Sequence, residues 1–450
     1  MQRLTAIVLG ALLLLPHNAL AGGFFDGLTQ YKKGNLKLGP LGIHPYAGVN
    51  EEYDTNIYLV PSDLSGVQQG GGVVQSAITN VNAGVNLDLP VTDMHKFTLG
   101  YDFLWKGYHR FSGINNRVNQ AASIAYDFKG PFGVYAKVHD KYINTDDPAF
   151  SETVEREKRW HNNVGLMVGY KPEGGKLFAE AEGFQERHHY LNGPTLASIL
   201  DRVEYGFGLK AGYFIMPKTR AYVGYTHRVI HYTNGMWDGI TTNSYTGGRA
   251  KDSRNHAFNV GVEGKLMQKL KGRIETGINS RRYANGAGNE TAADANGNWT
   301  HRRGNTNNWT VGAGVNYAPT DRCALDVAYN RSINDSTFGT NRYSIGNKVD
   351  INASHKFPYK LRAKLGFGWG VDKYGDAAVV NPNGAPATIA GGQHASRRDD
   401  TYTLKMGVGY DIQEWLAADV SYQYDQRFSI FSGQYNYKRH LTALGLKATF

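Results

Sequence analysis

The sequence predicts an all-β protein, a closed antiparallel transmembrane β-barrel of about eighteen strands that follows a cleaved signal peptide. Three observations predict it. The first residues read as an export leader, and period-2 alternation of apolar and polar residues runs almost from end to end. The connections between alternating segments are also short and long by turns.

Residues 1–21 are the leader. Arg3 supplies the positive end, Leu4 to Leu15 the apolar run, and Ala19-Leu20-Ala21 the small-x-small cleavage site. A membrane helix needs about 20 apolar residues, and this run stops near 12. No Cys follows the cleavage site, which argues against a lipid anchor. The mature chain is expected to begin at Gly22, with a short periplasmic segment over 22–42 and the barrel over 43–450.

The 429 residues after the leader would divide into two or three domains with helical patterns in an ordinary soluble protein. Here no sustained 3.6-residue period is found, while Gly (55) and Tyr (29) are abundant. The lone Cys323 forbids an internal disulfide and reads as a small residue beside a turn. The net charge of +10 falls to +9 with the loss of Arg3. That excess suits lipopolysaccharide phosphates or anionic polymers, and the exported setting disfavours nucleic acid.

Alternation defines the strands. In 360–374, Leu361, Ala363, Leu365, Phe367, Trp369 and Val371 share one face, and Arg362, Lys364 and Asp372 share the other with glycines. The same split recurs at 96–106 and 401–412. In lipid the apolar face needs no second layer, and the polar face lines a wet lumen. Strands are expected near 43–59, 73–89, 96–109, 116–128, 132–144, 158–170, 176–190, 202–215 and 219–232. The other nine fall near 254–266, 270–284, 305–318, 322–333, 342–356, 360–374, 399–412, 415–428 and 434–450. Strands 1 and 7 alternate least cleanly, and Pro45 interrupts the first.

Eight connections are tight, and six of them carry Pro, which presets a turn and ends a strand: Pro90, Pro131, Pro172, Pro217, Pro319 and Pro358. The others are mostly longer and polar, the longest near 233–253, 285–304 and 375–398. Short turns in the periplasm and long loops outside are the outer-membrane pattern, which puts both termini in the periplasm. The terminal Phe450 closes an amphipathic strand with Thr442, Leu444, Leu446 and Ala448 on its face, and resembles the signal read by the barrel-assembly machinery. Closure is required because an unpaired edge in hydrocarbon leaves backbone groups unsatisfied at several kcal/mol each. Tyr213, Tyr232, Tyr283, Tyr317 and Trp415 are placed to anchor at the interfaces. A barrel of this size is wide enough for an aqueous channel, and 22–42 is too short for a plug.

Residues 45–59, PYAGVNEEYDTNIYL, resemble the opening strand of the outer-membrane family often called β-barrel porin 2. The run that carries the resemblance is Tyr53-Asp54-Thr55-Asn56-Ile57-Tyr58. The closing hairpin 422–450 is similar to the family's ending, through Tyr422, Tyr424, Arg427, Ser429 and Phe450. Ile430 stands where the family usually has Asn. The resemblance implies an outer-membrane channel, and many members are associated with exopolysaccharide secretion.

Strand parity names the inward side chains. Arg220, Lys265, Arg273, Lys356, Arg362, Lys364 and Lys447 fall near the periplasmic half. Lys210, Arg228, Lys348 and Lys405 fall nearer the middle, and Arg281 and Arg427 nearer the outside. Interspersed acids are Asp88, Asp127, Glu204, Glu263, Glu275, Asp326, Asp350, Asp411 and Asp419. Basic rings can select anions, although paired, solvated wall charges without selectivity are the plainer reading. Inward Tyr46, Tyr135 and Tyr222 offer stacking surfaces for sugar rings, against a plainer role in packing.

Rim enzymes of this architecture use Ser, His and acid sets. Asp146-Asp147, Arg187-His188-His189 and Asp399-Asp400 are the candidates, and none has the spacing of a nucleophile motif. Adjacent His188 and His189 point to opposite faces of a strand, which disfavours a shared metal. His227 and His231 are read as solvated rim residues too. The expectation is therefore a non-catalytic pore without cofactor or metal, exporting a polysaccharide, with a diffusion porin for small anions or sugars as the alternative. Its expected partners are outer-membrane lipid and lipopolysaccharide, the assembly machinery, the polysaccharide cargo and periplasmic polysaccharide-export proteins.

Overall fold

The computed structural model describes residues 36–61, 72–146, 158–191, 201–233, 252–283, 290–293, 299–302, 305–335, 343–374, 397–430 and 435–450. The leader expected over 1–21 lies outside the described residues, as do Asp147 and most of the three longest loops.

Eighteen strands form the wall. They are β1 (Leu41–Asp54), β2 (Ser76–Pro90), β3 (His95–Tyr108), β4 (Arg117–Lys129), β5 (Val134–Thr145) and β6 (Arg159–Tyr170). Next come β7 (Leu177–Tyr190), β8 (Arg202–Met216), β9 (Thr219–Tyr232), β10 (Ser253–Met267), β11 (Leu270–Tyr283) and β12 (Thr306–Thr320). The last six are β13 (Cys323–Asp335), β14 (Tyr343–Lys356), β15 (Leu361–Tyr374), β16 (Arg398–Asp411), β17 (Leu416–Ser429) and β18 (Tyr437–Thr449). Each pairs antiparallel with its sequence neighbours, and β18 pairs back onto β1 from Tyr46↔Thr449 to Asp54↔Leu441, closing the ring. Leu36–Leu38 folds as a short extra strand on the start of β1, and Glu290–Ala293 pairs with Trp299–Arg302 in a separate hairpin.

Strand lengths of 12 to 15 residues exceed the roughly 9–11 that a tilted strand needs to cross a bilayer, so the strand ends project beyond it. Among the described residues no helix is long and apolar enough to cross a membrane. The convex face carries the apolar band: Val49, Leu99, Leu166, Leu209, Phe258, Ile274 and Leu444 are all exposed in the isolated chain. The opposite, concave face is polar yet crowded, with Asn80, Asn163, Glu204 and Arg281 buried, because curvature brings inward side chains together. Tyr213, Tyr317 and Trp415 are exposed on the convex face as the aromatic-anchor reading expects. Tyr232 and Tyr283 are not anchors; both are buried. Each has the parity of its strand's inward set, Tyr232 with Arg220 and Tyr283 with Arg281.

The turns explain the Pro and Gly usage. After Gly130-Pro131, Gly133 adopts φ 87°, and a Cβ there would lie 1.8 Å from the Lys171 carbonyl oxygen. Only glycine meets both demands. At the Pro358 turn, Tyr359 (φ 62°) and Lys360 (φ 64°) hold left-handed backbone without glycine. Cys323 sits beside the turn at Thr320, whose Oγ1 accepts from the Cys323 amide at 3.1 Å.

The first strand ends at Asp54, five residues before the expected 59. The reason lies in the motif that carries the family resemblance. Asp54 Oδ1 accepts from the Asn56 amide at 2.9 Å, and the chain turns inward there. Thr55 N still donates to His440 O at 3.0 Å across the seam. Beyond that point Asn56 acts as a substitute strand: its Nδ2 donates to Lys438 O (3.1 Å) and Val60 O (2.9 Å), and its Oδ1 accepts from Val60 N (3.1 Å). Arg439 of β18 pairs with Asp54 at 3.1 Å. Ile57 then buries against Val74, Ile78 and Tyr108, an apolar cluster on the concave side at the long-loop end.

Candidate functional site

The candidate site is the concave wall itself. Glycine permits aromatic rings to lie along it, and one arrangement recurs three times. Tyr46, Tyr135 and Tyr222 each stand opposite a glycine of the next strand: Gly84, Gly169 and Gly261. A Cβ on any of those glycines would fall within 2.6 Å of the tyrosine ring. Each ring therefore crosses its glycine and donates its hydroxyl to an acid one strand further on. Tyr135 reaches Glu180 at 2.7 Å, Tyr222 reaches Glu275 at 2.5 Å, and Tyr46 reaches Asp102. The rings start on β1, β5 and β9, four strands apart. They lie flat against the wall and leave one face for a cation: Lys447 over Tyr46 at 4.5 Å and Lys210 over Tyr222 at 4.7 Å.

The charged candidates fall into clusters. Toward the short turns, Arg220 bridges Glu180 (2.7 Å) and Glu263 (2.5 Å), while Arg273 joins Glu275 (2.6 Å) and approaches Glu263 (3.9 Å). Lys210 lies 3.9 Å from Glu180. Asp88 takes Lys96 (3.0 Å) and His44 (3.5 Å), Asp127 takes Lys137 (3.4 Å), and Arg362 grips Asp411 through Nη1 and Nη2. Around the middle, Lys348 pairs with Asp350 at 3.1 Å, and nearer the short turns Asp326 accepts from Asn316 at 2.6 Å.

Toward the long loops, Arg281 donates to Asn255 at 2.9 Å and pairs with Asp335. Arg427 lies over the Tyr437 ring. Arg228 stands opposite Gly206, four residues before the end of β9, and reaches toward the long loops to pair with Glu204 at 2.9 Å. Lys265, Lys356, Lys364, Lys405 and Asp419 share the parity of these groups on β10, β14, β15, β16 and β17.

Asp102 lies on the polar face that the alternation of 96–106 defines, whereas the sequence reading missed three other inward acids, Glu180, Glu182 and Glu186. All three stand on β7, whose concave face also carries Phe178 and Phe184, so the mixed face hid its parity. The clean signal was the other face, where Ala179, Ala181, Gly183 and Gln185 are exposed.

The rim groups weighed as catalytic candidates are, among the described residues, held in pairs. Asp146 pairs with Arg117, Asp399 with Arg397, and Asp400 with Arg398. Arg187 lies over Trp160, and His189 meets Asp201 at 2.7 Å. His188, on the other face, meets a histidine that no single-strand pattern shows: His161 of β6, its register partner.

A family model described as "Putative beta-barrel porin 2" matches residues 36–450. No curated protein matches the chain. Among solved structures, the FrpB iron transporter from Neisseria meningitidis is similar at 10% identity and TM-score 0.43, over 96% of this chain and 83% of that one. The outer membrane channel DcaP of Acinetobacter baumannii is similar at 11% identity and TM-score 0.42, over 91% and 97%. OmpT, an outer membrane protein of Vibrio cholerae, is similar at 11% identity and TM-score 0.36, over 93% and 100%.

Proposed function

The chain belongs to the β-barrel porin 2 family, and from that premise we propose that it is an outer-membrane pore through which a polysaccharide leaves the cell, passively and without catalysis. The observation that carries the reading is the character of the concave wall. Its tyrosine rings lie flat, and its ion pairs and hydrogen-bonded acids offer donors and acceptors along the barrel. Groups that already hold one another exchange weakly with a sugar hydroxyl, so a polymer passes without lodging. The exported polymer fits the association of the resembled family with exopolysaccharide secretion. Both termini then face the periplasm, where export proteins deliver the polymer.

A second reading, a diffusion porin for small solutes, is favoured by the same pairing. A wall whose cations are matched by Glu180, Glu263, Glu275 and Asp411 has little net field to select a charged cargo. Single-channel conductance in a planar bilayer separates the two. Block by acidic or neutral sugar oligomers that deepens with chain length, entering from the short-turn side, supports export. A steady current indifferent to oligomer length supports the small-solute porin. Absence of any conductance refutes both.

A further inference from the structure

We propose that His161, Glu186 and His188 form a binding site for a divalent transition-metal ion of the Zn2+ class, on the concave wall near the long loops. Antiparallel register brings the three together. His161 of β6 stands directly opposite His188 of β7, with ring centroids 4.6 Å apart and planes 24° from parallel. Glu186 lies two residues before His188 and so shares its face. One ligand atom from each residue can be chosen so that all lie within 4.8 Å of one another.

Two further observations point to a ligand. His188 is only 8% exposed and Glu186 3%. The Nε2 atoms of both His161 and His188 are buried with no hydrogen-bond partner among the described residues. Burying an imidazole nitrogen without a hydrogen bond costs about 1–3 kcal/mol, a cost that a cation bound by both would remove. Glu186 is already oriented for it. Its Oε1 accepts from Asn163 Nδ2 at 2.9 Å, while its Oε2 lies 3.7 Å from His188 Nε2.

The donor set decides the metal. Two imidazoles and one carboxylate suit zinc, copper or nickel rather than magnesium or calcium, and three protein ligands leave a fourth position open. Bonds of about 2.0–2.2 Å would bring the ligand atoms to roughly 3.5 Å apart, reached by small side-chain rotations. The charged groups facing the site are Glu204, 3.6 Å from His188 Nε2, and Arg202 and Arg228, which pair with Glu204 at 2.7 and 2.9 Å. Arg228 also approaches Glu186 at 3.9 Å. Two acids against two arginines leave the surroundings near neutral, so the histidines' lone pairs dominate.

The test is calorimetric titration of the mature barrel in detergent with ZnCl2. Saturable one-to-one binding is expected, weakened at least about 100-fold by His161→Asn and by His188→Gln, since loss even of an outer-shell partner costs 10–100-fold. Replacing His227 and His256, another close pair with rings 4.6 Å apart, should leave the affinity unchanged. Copper EPR of the unaltered protein counts ligands without relying on any variant folding: two imidazole nitrogens are expected. No saturable zinc binding, binding that survives both variants, or fewer than two nitrogens would overturn the site.

Discussion

Replacing Asn56 with Ala removes three hydrogen bonds from a side chain that is 1% exposed. They run to Lys438 O at 3.1 Å, Val60 O at 2.9 Å and Val60 N at 3.1 Å. The Lys438 carbonyl belongs to the closing strand, so the seam loses the link that continues its ladder after β1 has turned inward. A typical hydrogen bond contributes about 0.5–1.5 kcal/mol net, and a buried group left unpaired costs about 1–3 kcal/mol. Water at the mouth re-solvates part of the loss, which places the expected destabilisation at about 2–4 kcal/mol. The assay is reversible urea unfolding of the barrel in lipid or detergent, followed by tryptophan fluorescence and by the gel shift between folded and heated forms. Asn56→Asp should lose at least as much, because a carboxylate oxygen in place of Nδ2 would face the carbonyls of Lys438 and Val60 in a buried position. A change below about 1 kcal/mol for the Ala variant would refute the seam role and leave the motif as a loop of no special weight.

Two further perturbations test the turns and the wall. Lys360→Gly should stabilise the barrel by about 0.5–1 kcal/mol in the same urea assay, because φ 64° strains any residue with a Cβ and glycine's greater unfolded entropy offsets only part of the relief; a lower midpoint would contradict it. Glu180→Gln removes the acid shared by Arg220 and Tyr135, which should move the zero-current potential in a KCl gradient toward chloride. An unchanged potential would show that ions do not pass along this stretch of wall.

The strand set was legible because its physics is local. Alternation records which side of each residue meets lipid, and in a barrel both sides differ sharply. Hence β9 matches its expected bounds at both ends, and most others fall within two residues. Three ends depart further: β2 begins at Ser76 rather than 73, and at the other two side chains replace the ladder. Asn56 ends β1 early, and β18 begins at Tyr437, three residues later than expected, after Asn436 Oδ1 accepts from the Ser429 amide. Parity within a strand is likewise local, which is why Arg220, Arg273 and Glu275 were found on one face. Where a face mixes ring and acid, as on β7, parity alone gave no reading, and Glu180, Glu182 and Glu186 went unseen.

By itself the sequence determined the class, the number of strands, the closure and the polar wall, since period and turn chemistry act over a few residues. Only the tertiary structure decided what stands beside what. A one-residue change of register would move every side chain to the other face, so the meeting of His161 with His188, the crossing of Tyr135 over Gly169 to Glu180, and the stitching of Asn56 to Lys438 depend on pairings between strands. In the last case, 382 residues separate the partners along the chain. Local patterning cannot encode that distance; the closed ring supplies it.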